Sequence, residues 1–142
     1  MTIRNATLGD FDLAFDFIEQ LWTANTYDKN VIHKVYREVL EDENAFAFFI
    51  FENGAPMGFC HGVYFNTFWQ SGKTCYVSSI ISNPSVRGKG YGRKLMDHAK
   101  ELAKERGCKA IVLDSGFQRK DAHRFYELYG FTQCAYCFTL EL

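Results

Sequence analysis

Three glycines and four cationic residues lie close together in the stretch NPSVRGKGYGRK, residues 83–94. Gly88, Gly90 and Gly92 come directly before a long amphipathic pattern that predicts a helix. The first backbone amides of a helix have no intrahelical partner and attract anions, and glycines let a bulky phosphate approach them. The nearby cations are Arg87, Lys89, Arg93 and Lys94. The stretch predicts a pyrophosphate site; the simpler alternative is a tight strand-to-helix turn in which glycine only relieves strain.

The spacing of these glycines excludes two common phosphate-binding motifs. The Gly-Lys pair at residues 88–89 is followed by glycine, whereas a Walker A loop needs serine or threonine there. The alternation of glycine at every second position also lacks the GxGxxG register of dinucleotide-binding folds. Neither a nucleotide-hydrolysing loop nor a Rossmann fingerprint is therefore expected.

The elements that would position this turn follow from hydrophobic periodicity and turn residues. Apolar spacings of three and four predict helices within residues 7–25, 28–42, 90–106 and 121–130, with Asp10 available to cap the first. Alternating or continuous apolar runs predict strands at residues 2–6, 73–82, 109–116 and 131–142, and a hairpin at residues 45–65 about Asn53-Gly54. This order predicts one mixed sheet with helices on both faces.

Composition limits the functional classes. The chain has 142 residues, a formal net charge of -1, and no apolar run long enough to span a bilayer, so neither bulk nucleic-acid binding nor membrane insertion is expected. The N-terminal sequence shows no export signal, which predicts a cytoplasmic protein with reduced cysteines. Cys134 and Cys137 have the spacing of half a zinc site, but in a strand they would point to opposite faces. No metal site is predicted.

The glycine turn and the sequence after it resemble the GNAT superfamily of N-acetyltransferases. The stretch VRGKGYGRKLM is similar to the acetyl-CoA-binding signature of that family, with Arg87, Gly90 and Gly92 at its defining positions. The stretch LDSGFQRKDAHRFYELYGF, residues 113–131, is similar to the family's next strand and helix. The resemblance covers residues 74–133 in detail and only the architecture before them. It implies a GNAT-like α/β fold in a single domain, residues 1–142, with a mixed central sheet of six to seven strands splayed at the centre and four flanking helices.

The resemblance also implies acetyl-CoA as co-substrate. The backbone of residues 80–82 would pair with the pantetheine arm, and the amides of residues 88–93 would hold the pyrophosphate. The slot for the thioester would open where the strand ending at Ser82 parts from the strand at residues 110–114. Arg119 stands where many relatives carry asparagine, so it reaches either the cofactor or a phosphate. The predicted cofactor-binding residues are Ile80, Ile81, Ser82, Arg87, Gly88, Lys89, Gly90, Tyr91, Gly92, Arg93, Arg119 and Tyr126.

Transfer of acetyl from a thioester to an amine needs a base, because alkyl amines titrate near ~10.4 and are charged at neutral pH. Relatives commonly place glutamate in the central strand, where this chain has Ser78 and Ser79. The candidates that remain are Asp114, His61 in the hairpin, and a water held by Ser78. If Asp114 is not the base, it caps the following turn. If His61 is not the base, it is a hydrogen-bonded strand residue.

Tyr126 matches the family tyrosine that protonates the departing thiolate. On spacing alone it would be a packing residue of its helix, beside Phe125 and Tyr129. The resemblance favours the catalytic role. It also implies that a backbone amide of the central strand, at Ile80 or Ile81, stabilises the oxyanion.

The predicted function is acetyl transfer from acetyl-CoA to a primary amine of a small molecule, by direct attack within a ternary complex. The stretch KDAHRFYELYGF, residues 120–131, looks most like aminoalkylphosphonate and aminoglycoside acetyltransferases. Trp22, Tyr27, Phe68 and Trp69 fall in segments that the family uses for its acceptor. The alternatives are an acyl-CoA sensor without turnover, a protein or peptide acetyltransferase, and nucleic-acid binding, which the confinement of charge to one turn disfavours. The sequence leaves a homodimer open.

Overall fold

The computed structural model describes residues 1–142. None of its helices combines the length and the apolar character needed to span a bilayer. Contacts between residues group the chain into two parts, Met1–Val112 and Leu113–Leu142, and each part is described by itself.

The first part contains a mixed five-stranded sheet whose strand order follows the chain. Neighbours are antiparallel from the first strand to the fourth, and the fourth and fifth are parallel. Asn53 and Gly54, with φ of 52° and 78°, form the predicted hairpin turn in the left-handed conformation. The strands are β1 (Thr2–Asn5), β2 (Ala45–Glu52), β3 (Ala55–Thr67), β4 (Gly72–Ser82) and β5 (Ala110–Val112).

Three helices belong to this part: α1 (Phe11–Leu21), α2 (Lys29–Glu41) and α3 (Tyr91–Glu105). Asp28 caps α2, because its carboxylate accepts hydrogen bonds from the amides of Asn30 and Val31 at 2.9 and 3.3 Å. Asp10 precedes α1 without capping it. Its carboxylate instead accepts hydrogen bonds from the Arg4 guanidinium at 2.7 and 3.0 Å and from Thr7, and the Arg4 bonds above all lower the pKa of Asp10 to about 2.

Helices cover both faces of the sheet, as the sequence predicts. The face towards α1 and α2 is an aromatic core in which Phe17 packs against Phe49 and Phe59. On the other face, α3 contributes fully buried Leu95, Met96 and Ala99. Each β-strand alternates its side chains between the two faces, so the central strands contribute side chains to both of these helix-covered layers.

Two glycines in β3 allow side chains to lie directly on the sheet. A Cβ atom at Gly62 would collide with the Phe46 ring and lie 2.8 Å from the carbonyl oxygen of Tyr76. A Cβ atom at Gly58 would lie 2.8 Å from the Leu95 side chain. At both positions a Cβ atom would therefore require its neighbours to move.

The second part contains helix α4 (Lys120–Tyr129), the fourth helix that the sequence predicts. Residues 131–142 belong to no strand, so the expected closing strand is absent and the sheet has five strands rather than six to seven. The apolar alternation of this segment indicates only a local preference for a strand. A strand forms only when a neighbouring strand supplies hydrogen bonds, and none does so here.

Candidate active site

The glycine turn lies between β4 and α3 and bends through two left-handed residues. Gly88 and Gly90 have φ of 82° and 86°, a region that side chains with a Cβ rarely adopt. A Cβ atom built at either position would meet no other atom within 4 Å. The conformation, and not local crowding, therefore requires glycine here, and the space beside the backbone is open.

Gly90 is the N-cap residue of α3, and the first intrahelical hydrogen bond runs from the Lys94 amide to its carbonyl oxygen at 3.1 Å. No acidic side chain occupies the first turn of α3. The amides at this end therefore face a positive electrostatic environment that suits an anion. The four surrounding cations are all exposed: Arg87, Lys89, Arg93 and Lys94.

Asn83 fixes the path of the chain from β4 into this turn. Its amide donates to the carbonyl oxygen of Met57 at 2.7 Å, and its side-chain oxygen accepts from the Ser85 amide at 3.0 Å. Pro84 begins a short 3-10 turn that ends at Val86. The predicted stop at Asn83-Pro84 is thus confirmed, and the glycine turn that follows leads into the start of α3.

Strand β4 separates from β5 over half its length. The two strands pair only at Thr74, Cys75 and Tyr76 of β4, opposite β5 residues 110–112. From Val77 to Ser82, β4 has ladder partners only on β3. The sheet is therefore splayed in its centre, as expected, and one side of the β4 backbone at residues 80–82 is left for an extended ligand to pair with.

A β-bulge in β4 lies at the start of this separated half. His61 is opposite Ser79 and Gly62 is opposite Val77, so Ser78 is the extra residue. The same register places the His61 side chain on the face that carries α1 and α2, beside buried Ser79. Nε2 of His61 is buried without a hydrogen-bond partner, and burial lowers the pKa of His61 below its usual 6.5. The imidazole is therefore neutral at pH 7, and its buried Nε2 lacks the hydrogen bond that such an atom normally makes.

This arrangement of His61 against Ser79 was not recognised in the sequence. His61, Gly62, Ser78 and Ser79 lie at the bulge, but their order along the chain does not show which residues of β3 and β4 are opposite each other. Only the register between strands reveals that the two side chains share a face.

Tyr126 is buried within α4, with 8% of its surface exposed. Its ring lies edge-on to Phe125 and Phe131, at centroid distances of 5.5 and 5.8 Å. Gly130, with φ of 123°, ends the helix by donating its amide to the Tyr126 and Glu127 carbonyl oxygens. The predicted acid is thus held on a rigid, capped helix.

The loop before α4 carries the other predicted residues of the second part. Asp114 is exposed, and Ser115 Oγ is buried without a hydrogen-bond partner, a feature that the sequence does not signal. Arg119 is the N-cap residue of α4 and donates its amide to the Gly116 carbonyl oxygen at 3.0 Å. His123 Nε2 lies 2.9 Å from the same oxygen, so this histidine braces the loop.

The assignment of Trp22, Tyr27, Phe68 and Trp69 to an acceptor pocket stays a prediction. Phe68 and Trp69 lie at the β3–β4 turn and are 101% and 70% exposed, and Trp22 is also exposed. A cavity of about 370 Å³ lies between the starts of α1 and α2. Its lining residues are Leu8, Gly9, Phe11, Asp12, Lys29, Asn30 and His33, none of which was predicted.

Comparison with known proteins agrees with this geometry. Residues 12–131 match the Acetyltransferase (GNAT) family. An uncharacterized N-acetyltransferase of Bacillus subtilis, YhdJ, is 35% identical over 100 residues, 70% of this chain and 70% of that protein. Aminoalkylphosphonate N-acetyltransferase of Salmonella typhimurium is 26% identical over 140 residues, 99% of this chain and 90% of that protein.

A solved aminoglycoside N-acetyltransferase, AAC(6')-Iy in complex with CoA, has the same fold, with a TM-score of 0.87 at 16% identity over 99% of this chain and 93% of that one. Enzymes of the matched family take their acetyl group from acetyl-CoA. The family match spans both parts of the chain, including the glycine turn, the splayed strands and α4. The chain is a member of the GNAT family and an acetyl-CoA-dependent N-acetyltransferase.

Proposed function

We propose that this protein transfers acetyl to the primary amine of a small molecule, by direct attack of the amine on acetyl-CoA in a ternary complex. The observation that carries the proposal is the glycine turn: two left-handed glycines with open space beside them precede a helix start surrounded by exposed cations. This arrangement fits a pyrophosphate. The proposal treats residues 1–142 as one N-acetyltransferase domain that acts in the cytoplasm.

The proposed acetyl-CoA site follows the predicted residues. Amides of residues 88–93 hold the pyrophosphate, with Arg87 and Lys89 contributing charge, and the separated backbone of residues 80–82 receives the pantetheine arm. A β4 amide at Ile80 or Ile81 stabilises the oxyanion. Arg119 is assigned to a phosphate, because its guanidinium carries a fixed charge.

Direct attack is favoured over a covalent acyl-enzyme because the buried thiols are poor nucleophiles. Burial raises the pKa of Cys75 to about 12 and raises the pKa of Cys60 well above its usual range. Only a thiolate attacks a thioester efficiently. The half-buried thiol of Cys108 also has a raised pKa, mainly through burial.

Tyr126 is proposed as the acid that protonates the CoA thiolate as it leaves. Its phenol O–H is a suitable donor, and its position on a capped helix limits its motion. The amine proton goes to a base, for which the candidates are Asp114, His61 and a water held by Ser78. His61 is supported by its place at the β4 bulge and by its neutral imidazole.

The acceptor is proposed to be a small amine. The support is similarity over 99% of the chain to an enzyme named for aminoalkylphosphonates. The second candidate acceptor is a peptide amine, which would react by the same chemistry. The alternative function is an acyl-CoA sensor that does not catalyse transfer.

The test is release of CoA thiol from acetyl-CoA by the purified protein, measured against aminoalkylphosphonates, aminoglycosides, polyamines, amino acids and short peptides. We expect release with one small-molecule class and none with the others. Release only with peptides would refute the small-molecule assignment. Tight binding of acetyl-CoA with no release across the panel would favour the sensor.

A further inference from the structure

The two halves of the proposed acetyl-CoA site lie on different segments of the chain. The pantetheine arm is assigned to the β4 backbone at residues 80–82, and the pyrophosphate is assigned to the amides of residues 88–93. A ligand that reaches both halves at once gains affinity only where their separation and orientation match its own. The residues that connect the two halves therefore decide whether two weak contacts act as one strong contact.

The connection does not hold its direction through local conformation alone. Gly88 and Gly90 adopt φ of 82° and 86°, and glycine populates both signs of φ readily. From Val77 to Ser82, β4 has ladder partners only on β3, so the strand is held from one side where the arm is proposed to pair. Contacts outside the turn must therefore orient it relative to β4.

Asn83 makes such contacts with the start of β3. Its amide donates to the carbonyl oxygen of Met57 at 2.7 Å, which extends the β3–β4 ladder one step beyond the pair Gly58 and Ser82. Its side-chain Nδ2 donates to the carbonyl oxygen of Pro56 at 3.4 Å. Both the main chain and the side chain of Asn83 are thus fastened to β3.

The same residue begins the path to the glycine turn. Asn83 Oδ1 accepts hydrogen bonds from the Ser85 amide at 3.0 Å and the Ser85 hydroxyl at 2.9 Å. These bonds span Pro84, which has no amide to donate. The Asn83 carbonyl oxygen accepts from the Val86 amide at 3.0 Å, and the Val86 carbonyl oxygen accepts from the Lys89 amide at 3.3 Å. Successive turns therefore carry the orientation of Asn83 to the N-cap of α3.

Given the proposed acetyl-CoA site, on which this depends, we propose that Asn83 is a positioning residue that holds the glycine turn at a fixed orientation to β4. Both polar atoms of its side chain are used by protein groups, so its effect on the cofactor is indirect. Asn83 should therefore raise the affinity for whole acetyl-CoA and leave the affinity for either half alone almost unchanged.

The test compares the Kd of acetyl-CoA with the Kd of 3′-phospho-ADP, the nucleotide half of the cofactor, by calorimetry on the full chain. In Asn83→Ala, we expect the Kd for acetyl-CoA to rise about ten-fold and the Kd for 3′-phospho-ADP to change less than about two-fold. The KM for acetyl-CoA should rise with its Kd, while kcat at saturating acetyl-CoA changes little. An equal rise for both ligands would mean that Asn83 only supports the fold of the turn, which contradicts the proposal, as would no rise for either ligand.

Two further variants sharpen the comparison. Asn83→Asp keeps an oxygen that accepts both Ser85 bonds, and its charge acts on the same phosphates in both ligands, so the ratio of the two Kd values should stay at the wild-type level. A ratio as disturbed as that of Asn83→Ala would overturn the role of Oδ1. Gly90→Ala should instead weaken both ligands, because it changes the pyrophosphate half itself.

These measurements separate the role of Asn83 from the proposed function. A wild type that binds neither ligand would refute the proposed acetyl-CoA site and the role of Asn83 with it. A wild type that binds both ligands, with an unaltered ratio in Asn83→Ala, would refute the role of Asn83 alone.

Discussion

The glycine turn and the β4 bulge make an instructive contrast. The turn is proposed to bind phosphate through backbone amides, and its requirements are the absence of Cβ atoms and a helix start, both visible in the sequence. The bulge brings His61 beside Ser79 through strand register, which no local pattern encodes. A substitution that disturbs the backbone conformation of the turn should therefore weaken binding of the acetyl-CoA phosphates. Loss of a single functional group should instead lower the rate of acetyl transfer.

The largest effect is expected from the reacting groups. Tyr126→Phe removes one phenol oxygen and leaves the ring packing intact, so kcat should fall about 100-fold while the Kd for acetyl-CoA changes little. Steady-state kinetics and calorimetry measure the two quantities. Tyr129→Phe, one turn further along α4, is the matched control and should keep its rate. An undiminished kcat would reduce Tyr126 to a packing residue.

At the glycine turn we expect a substitution to change the affinity for acetyl-CoA. Gly90→Ala should raise the Kd for acetyl-CoA about 30-fold, since alanine disfavours a φ of 86° and its methyl group blocks the anion. Gly54→Ala carries a similar backbone strain in the hairpin turn, at φ of 78°, and should change stability without changing affinity. Equal affinities in the two variants would remove the pyrophosphate assignment.

The bulge is tested by the pH dependence of the reaction. If His61 is the base, kcat/KM should fall as pH drops through a pKa below 6.5, because the neutral imidazole accepts the proton. His61→Gln should lower the rate about 10-fold and abolish this acid limb. His33→Gln serves as a control at the start of α2. A limb that survives in His61→Gln, or that lies near ~4 where carboxyl groups titrate, would assign the base to a carboxylate.

The smallest effect is on stability. Burial depresses the native pKa of His61, so below ~6.5 the unfolded chain binds a proton that the folded chain does not. The free energy of unfolding should therefore fall as pH drops from 7 towards 5, by about 1.4 kcal/mol for each pKa unit of depression. Urea unfolding at several pH values should show a flatter dependence in His61→Gln. His98, whose pKa is also lowered by burial, should retain part of the slope.

The sequence predicts the elements well where local pattern decides them. The hairpin at Asn53-Gly54, the stop at Pro84, the α3 helix and its glycine N-terminus all depend on turn chemistry and periodicity over a few residues. The splay between β4 and β5 was expected only from the family resemblance, and the strand pairing confirms it.

The predictions that the structure corrects share a physical cause: local composition does not determine which distant residues pair with each other. Residues 131–142 have a strand pattern and no strand, because pairing needs a neighbour. Asp10 stands at a cap position, yet a bidentate contact with Arg4 competes successfully for its carboxylate. The roles of Asp114, Ser78 and Tyr126 stay predictions.

The two glycines of β3 have a consequence for how this chain tolerates change. A Cβ atom at Gly62 would meet a backbone carbonyl oxygen at 2.8 Å as well as a ring, so no side-chain rotation can admit a methyl group there. At Gly58 the closest contact is the flexible end of Leu95, and the nearest backbone oxygen, that of Ile81, is 3.2 Å away. In a saturation library, position 62 should accept glycine alone, and position 58 should accept alanine when residue 95 becomes smaller. A residue without any functional group would then be among the least replaceable in the enzyme.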